Sequence, residues 1–210
     1  PMFAYRGEIL CYCEHSKRAF AAWLQEKYQT LEALNAAWYR CYTDWSQVKP
    51  PVRMSTWTDM MDWRLFWLSN LRRWLRIRVA AAKAGAPDKP VQTHVAYSAI
   101  VGNRINGGLS NEVVDEFQFA REVDVFGTSA FPKWLMGDNQ FVYHLMQTEI
   151  IAEAAREKPF YQVELQGGAG RNGLLGTEVP TKRDVTLWNW NTLIAGGKGV
   201  FTRKVRHAVC

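Results

Sequence analysis

The chain has 210 residues, of which 48% are hydrophobic and 22% are charged, and this composition and length are typical of a single globular domain. Its formal net charge is +6, yet the sequence contains no run of 18 apolar residues that could span a membrane and no signal peptide. Because the chain opens on Pro1, we expect the natural N-terminus to lie upstream, so the compartment stays undetermined.

The positive charge is concentrated in Arg72, Arg73, Arg76 and Arg78. Such a cluster can bind nucleic acid, or it can be the solvated face of a helix. No alternation of aromatic and basic residues and no known nucleic-acid motif accompanies it. We therefore favour the solvated helix face and expect no nucleic-acid partner.

The four cysteines, Cys11, Cys13, Cys41 and Cys210, are too few and too irregularly spaced to indicate a disulfide scaffold. Cys11 and Cys13, with His15 nearby, have side chains that can ligate a metal ion. The alternative is a pair of free thiols near a loop, which the spacing favours. A four-coordinate site would stay incomplete unless Cys41 or another group folded in.

The N-terminal third has the pattern of amphipathic helices. Thr30 is a candidate cap at which the pattern restarts, and the pair Pro50-Pro51 marks a loop. A second helix is predicted over about 57–83, ended by Gly85 and Pro87. The apolar stripe of the first helical stretch consists of Phe20, Trp23, Leu24, Tyr28, Leu31, Leu34 and Trp38.

After Pro87 the pattern changes to strands that alternate with helices. The predicted strand starts, near Val91, Val123, Phe160 and Gly199, lie 32, 37 and 39 residues apart, an interval that predicts βαβ units and a parallel sheet. Four such strands are half of a (β/α)8 barrel, which needs about 250 residues. The predicted strands are 90–99, 123–130, 159–166 and 197–205, and the predicted helices are 111–122, 138–158 and 181–195.

Glu164 is the most informative residue of the strand ends, where barrels of this kind carry their catalytic groups. It lies in the apolar strand QVELQ, with Val163 and Leu165 on alternate positions. An inward carboxylate costs free energy unless it is hydrogen-bonded or functional. The alternatives are a catalytic Glu and a Glu paired with an arginine or lysine. The following Gly167-Gly168 would let the backbone approach a ligand closely.

Other strand ends carry further candidates. His94 is a candidate general base. The alternative, which is the commoner case, is a structural histidine that forms hydrogen bonds within the barrel. Phe131 and Trp134 follow the second strand, where aromatic rings could stack on a sugar or cover the barrel mouth.

Four strings of the sequence resemble one enzyme family, the glycoside hydrolase family 42 β-galactosidases. CYCEHSKRAFAAWLQEKYQTLEALNAAW resembles the segment that follows the acid/base strand of that family. VDVFGTSAFPKW resembles its sixth strand and loop, QVELQGG its seventh strand, and GGKGVFTRKVR its eighth. The resemblance implies an α/β fold, the C-terminal half of a (β/α)8 TIM barrel. Residues 1–89 would be a helical insertion after strand four, and 90–210 four βα units of the catalytic domain.

The resemblance also implies a function. Members of the family are retaining enzymes, so Glu164 would be the nucleophile, and the acid/base Glu, in an Asn-Glu pair, would lie just upstream of Pro1. His94, Phe131, Trp134, Gln166 and Arg206 would bind the substrate, a β-galactoside or related oligosaccharide. No cofactor and no membrane partner is expected. The resemblance favours a homo-oligomer and a cytoplasmic location, and we expect the 210-residue chain alone to be inactive.

The sequence departs from the family pattern at three places. Some members carry a Cys-x-Cys-x-x-Cys zinc run, in which Ser16 here takes the third position. Arg203 stands where a tryptophan is usual, and Phe131 where a tyrosine before proline is common, whereas Arg206 matches the family's arginine. The alternative function is therefore a non-catalytic carbohydrate-binding or interaction protein derived from a barrel hydrolase.

Overall fold

The structure is a computed structural model that describes residues 4–5, 8–9, 11–52, 56–96, 98, 114–167 and 179–203. The chain divides into two compact units, Pro1–Arg73 and Trp74–Cys210, and the division falls within a long helix. In the part of the chain that is described, no helix combines the length and the apolar character needed to cross a bilayer.

The first unit is mainly helical, as the apolar periodicity predicts. It contains a short antiparallel pair, β1 (Ala4–Tyr5) and β2 (Glu8–Ile9), followed by α1 (Glu14–Tyr28), α2 (Leu31–Trp38) and the start of α3 (Trp57–Gly85). Thr30 caps α2, because its hydroxyl accepts a hydrogen bond from the backbone N–H of Ala33 at 3.2 Å. The buried apolar residues of this unit include Phe20, Leu24, Leu34, Trp38, Trp63, Phe66 and Trp67.

The second unit contains the predicted alternation of strands and helices. The four strands form one parallel sheet in the order β3-β4-β5-β6, which confirms the prediction of βαβ units. The strands are β3 (Gln92–Val95), β4 (Val125–Ala130), β5 (Phe160–Gln166) and β6 (Gly199–Arg203). The helices are α4 (Glu116–Arg121), α5 (Pro132–Leu135), α6 (Gln140–Ala155) and α7 (Lys182–Ile194).

Most observed boundaries differ from the predicted ones by a few residues; β3, for example, is predicted over 90–99 and observed as Gln92–Val95. Two of the differences have local reasons. The segment after β4 is not only a loop: Pro132 occupies the first turn of the short helix α5, where its missing N–H costs nothing. The long helix α6 ends at Ala155, before the predicted 158, because Arg156 adopts a positive φ of 54° and Pro159 follows. Predicted positions 97, 99, 111–113, 204 and 205 lie outside the described residues.

The residues of the sheet alternate between two faces. One face packs against helices, and its side chains include Phe126 and Ala130 of β4 and Phe160 and Leu165 of β5, all buried. Trp188 of α7 packs against Ala130 and Leu165. Burial of apolar area stabilises by about 25 cal/mol per Å², so the packing of these residues against the helices stabilises the sheet.

Alternation is interrupted once, in β5. Gln162 is the register partner of Thr128, but Ser129 pairs with Glu164 rather than with Val163, so β5 contains one extra residue at this point. The pairing of β5 with β6 shifts over the same stretch, between Gln162 and Leu165. This geometry is a β-bulge, which re-aims the side chains that follow it.

Candidate active site at the end of the parallel sheet

The second face of the sheet, which we call the open face, carries the candidate site. It is defined by Gln92 and His94 of β3, Gly127 and Ser129 of β4, Tyr161, Val163 and Glu164 of β5, and Gly199 and Phe201 of β6. Tyr161 contacts Phe201 across the strands, with ring centroids 6.0 Å apart. Unlike the helix-facing side, the open face has exposed side chains, of which Phe201 is 58% exposed.

The β-bulge brings Glu164 onto this face. Gln162 and Leu165 both face the helices, because Gln162 contacts His144 of α6 and Leu165 packs against Trp188. The two residues between them, Val163 and Glu164, consequently share the open face. The strict alternation expected for Val163 and Leu165 around Glu164 is wrong, because the sequence pattern contains no sign of the extra residue.

Glu164 lines an open pocket of about 320 Å³ near the carboxyl ends of the strands. Its described lining residues are His94, Val163, Glu164, Phe201 and Thr202, and Glu164 is the carboxylate among these five. The parallel pairing thus brings His94 and Glu164, 70 positions apart in the sequence, to one pocket. This is the position expected of a barrel's catalytic groups.

Ser129 holds one oxygen of the Glu164 carboxylate. Its hydroxyl donates to Oε2 at 3.3 Å, and Ser129 itself is 2% exposed. Since the two residues are register partners, the hydrogen bond joins adjacent strands directly across the ladder. The sequence analysis did not single out Ser129, because its contact with Glu164 depends on the bulge.

Two buried glutamines donate hydrogen bonds to carbonyl groups of the strands at the bulge. Gln162 Nε2 donates to the carbonyl oxygens of Thr128 and Glu164, at 2.9 and 3.2 Å. Gln147 Nε2 of α6 donates to Ser129 O at 2.8 Å and to Thr128 Oγ1 at 2.7 Å. Unpaired buried carbonyls would each cost free energy, so these amides stabilise the bulged backbone.

Gln166 lies at the end of β5 and is 2% exposed. Neither its Oε1 nor its Nε2 has a hydrogen-bond partner among the described residues. A buried amide with both functions unsatisfied is unfavourable, and a ligand with hydroxyl groups could satisfy both.

The segment after β4 is fixed to the start of α7. Lys133 Nζ contacts Asp184 Oδ2 at 2.6 Å, and Asp184 also accepts hydrogen bonds from the backbone N–H and the hydroxyl of Thr181, in a capping box. Burial alone would raise the pKa of Asp184, but the bonds from Lys133 and Thr181 hold it below its usual value. Phe131, the residue before α5, is half-buried in this segment.

The other candidate residues have different positions. His94 is exposed on β3 and lines the pocket. Trp134 belongs to α5, but the position of its side chain lies outside the described part of the structure, as does Arg206 entirely. Phe201, Val163 and Thr202 line the pocket although the sequence analysis did not name them, because their types alone do not show which strand residues line a pocket.

Cys11 and Cys13 lie in the first unit as exposed free thiols. Cys13 Sγ is 3.4 Å from Ser16 Oγ, and this hydrogen bond lowers the pKa of the Cys13 thiol to about 7. The described residues contain no group of three or more His, Cys, Asp or Glu side chains that could hold a metal ion. Two thiols with a serine in the third position do not fit a four-coordinate structural zinc site.

Comparison with known proteins identifies the family. The family model of glycoside hydrolase family 42, described as Beta-galactosidase, matches residues 4–209. The chain is 26% identical over 198 residues to the β-galactosidase LacZ of Heyndrickxia coagulans, covering 90% of this chain and 27% of that protein. It is 29% identical over 171 residues to the β-galactosidase BglY of Alicyclobacillus acidocaldarius, covering 76% and 23%.

Comparison with solved structures shows that the fold is also that of this family. The crystal structure of β-galactosidase from Bacillus circulans sp. alkalophilus superposes with a TM-score of 0.76 at 24% identity, covering 96% of this chain and 30% of that one. The chain therefore spans about a quarter to a third of the length of these relatives, with an α/β fold and parallel sheet that match part of their TIM barrel. The match over nearly the whole chain shows that it belongs to glycoside hydrolase family 42.

Proposed function

We propose that the chain is the C-terminal half of the catalytic barrel of a retaining glycoside hydrolase that acts on β-galactosides. Residues 90–210 would supply four βα units, and residues 1–89 a helical insertion after the fourth strand. The observation that carries the proposal is the position of Glu164, on the open face, in a pocket at the carboxyl end of a parallel sheet.

In the proposed reaction, Glu164 attacks the anomeric carbon of the sugar. The bond from that carbon to the leaving oxygen breaks, and a second carboxylic acid protonates that oxygen. Water then attacks the anomeric carbon of the glycosyl ester, the second carboxylate takes a proton from that water, and the bond from the carbon to Glu164 breaks, which frees the Glu164 carboxylate. Retention requires the two carboxyl groups to be about 5–5.5 Å apart. The described pocket lining contains one carboxyl group, that of Glu164. On the family resemblance, we propose that the second is the acid/base Glu of an Asn-Glu pair upstream of Pro1.

One residue of the pocket and one at the end of the same strand β5 support sugar binding. Phe201 offers an exposed aromatic ring, and the buried amide of Gln166 lacks partners among the described residues. Rings stack on the C–H faces of sugars, while amides bind hydroxyl groups with both donor and acceptor functions. We propose His94, Phe131, Trp134 and Arg206 as further substrate contacts, on the family resemblance.

The proposal is tested by Glu164→Gln in the full-length gene product. The amide keeps the size of the side chain but lacks the nucleophilic oxygen, so turnover of an aryl β-galactoside should fall by several orders of magnitude while the affinity for galactose changes little. The matched control is Glu153→Gln, an exposed position on α6. A mechanism-based fluorogalactoside should label Glu164 covalently.

Two results would contradict the assignment: a label on another carboxylate, or near-parent turnover by Glu164→Gln. If the gene product binds galactosides without hydrolysing them and takes up no label, the alternative of a non-catalytic carbohydrate-binding protein is the correct one.

A further inference from the structure

We propose that Ser129 is a positioning residue for Glu164, and that the β-bulge in β5 exists to bring the two side chains together. This inference rests on the proposed function, since it assumes that Glu164 acts as the nucleophile. It adds a residue of β4, a strand that otherwise contributes no hydrogen-bonding group to the described lining of the pocket.

The first step of the argument is the direction of Glu164. With regular alternation, Glu164 would lie on the same face as Gln162, which faces α6 and contacts His144 at 3.3 Å. A carboxylate there would take the buried position against Trp188 that Leu165 now fills. The extra residue turns Glu164 to the open face and makes Ser129 its register partner.

The second step is that the bulged backbone is supported by side chains dedicated to it. Gln162 and Gln147, both 0% exposed, donate to the three carbonyl oxygens of Thr128, Ser129 and Glu164. Two fully buried glutamine side chains would be costly without such partners. Their arrangement keeps the backbone of both Ser129 and Glu164 in one geometry.

The third step is what the serine hydroxyl does. Ser129 is buried, and its hydroxyl donates to Oε2 of Glu164, so it restricts rotation of the carboxylate plane. A nucleophile must be held close to the attack geometry, since small misplacements lower the rate strongly. The hydroxyl does not touch the sugar in this scheme and therefore acts through Glu164.

The test compares Ser129→Ala, Ser129→Thr and the control Ser69→Ala in the full-length gene product. Ser69 lies on α3 and bonds only the carbonyl of Phe66 among the described hydrogen bonds, at 2.8 Å. The probe is a fluorogalactoside with a dinitrophenyl leaving group, which departs without protonation, so the labelling rate reports attack by Glu164. The saturating rate and the half-saturating concentration are measured separately, with the thermal unfolding temperature.

Ser129→Ala should lower the saturating labelling rate about tenfold to a hundredfold, which is the effect expected from the loss of one hydrogen bond to a charged group. The half-saturating concentration of the probe should change little. Ser129→Thr keeps the hydroxyl and should recover most of that rate, and Ser69→Ala should label like the parent.

Three outcomes would overturn the positioning role of Ser129. They are a parent-like labelling rate in Ser129→Ala, an equal loss of labelling rate in the Ala and Thr variants, and a change only in the half-saturating concentration of the probe. Each leaves the proposed function standing if the label is still on Glu164. A label on another residue contradicts the proposed function itself and removes the basis of this inference.

Discussion

Gly127 lies where β4 and β5 approach each other too closely for a side chain. A Cβ atom at this position would overlap Val163 Cγ2 and would be 2.8 Å from the carbonyl oxygen of Tyr161. The carbonyl belongs to the backbone of β5 and cannot move without disturbing the strand pairing. The glycine therefore permits the sheet to stay tight beside the bulge that carries Glu164.

We predict that Gly127→Ala lowers the free energy of unfolding by about 1–3 kcal/mol, the usual cost of overpacking a well-packed site. Urea denaturation followed by circular dichroism measures this loss. Gly85→Ala is the matched control, because a Cβ there meets nothing within 4 Å, and this helical substitution should leave stability unchanged or raise it by up to about 1 kcal/mol. Equal stability of the two variants would show that the strands adjust without strain.

At the scale of elements, helices α1 and α2 and the first part of α3 enclose an aromatic cluster with one buried carboxylate. Asp62 of α3 is 1% exposed and is bonded by the ammonium of Lys27, by the hydroxyl of Tyr28 at 2.6 Å and by Trp38 Nε1 at 2.8 Å. Burial and the bond to Asp62 raise the pKa of Tyr28 far above its usual value. The rings around this group are Phe20, Trp23, Trp38, Trp63 and Phe66.

We predict that Asp62→Asn destabilises the chain by about 2–4 kcal/mol, because the ammonium loses its counter-charge and the amide N–H groups would face existing donors. Chemical denaturation monitored by tryptophan fluorescence measures the change. Asp88→Asn, at an exposed position after α3, is the control and should behave like the parent. A loss below about 1 kcal/mol would mean that water replaces the carboxylate in this cluster.

The sequence predicted the helices of this unit but not the role of Asp62. Phe20, Leu24 and Trp38 were identified from helical spacing, since burial of one helix face produces that pattern. Tyr28 was counted only as an apolar member of the stripe, whereas its hydroxyl is one of three donors to Asp62. Hydrogen bonds between residues 24 to 35 positions apart leave no periodic signal in a single sequence.

At the scale of the whole molecule, the parallel sheet was predictable because its strands alternate with helices along the sequence. The register was not, since it depends on how β4, β5 and α6 pack together. Gln147 and Gln162 illustrate the difference: in the sequence they are ordinary polar residues, and in the fold they hold the bulge beside Glu164. The candidate nucleophile could therefore be named from its strand, but its partner Ser129 could not.

The same buried layer makes stability depend on pH through His144 of α6. This imidazole is 0% exposed, and its ring nitrogens face the amides of Gln162 and Asn191, at 3.3 and 3.4 Å. Burial lowers the pKa of His144 to about 4, although the bond to Gln162 opposes the shift. In the unfolded chain the pKa returns to about 6.5.

Below pH 6.5 the unfolded chain consequently binds a proton that the folded chain does not. The contribution of His144 to the free energy of unfolding is fully present above pH 6.5. On acidification the free energy of unfolding should fall by up to about 1.4 kcal/mol per pH unit, until the pH reaches the pKa of His144 in the folded state. We predict that His144→Gln abolishes this slope between pH 6.5 and 5, where most carboxylates stay ionised, while His15→Gln, on the exposed start of α1, keeps it. Urea denaturation at several pH values gives the slopes. An unchanged slope in His144→Gln would show that another group binds the proton.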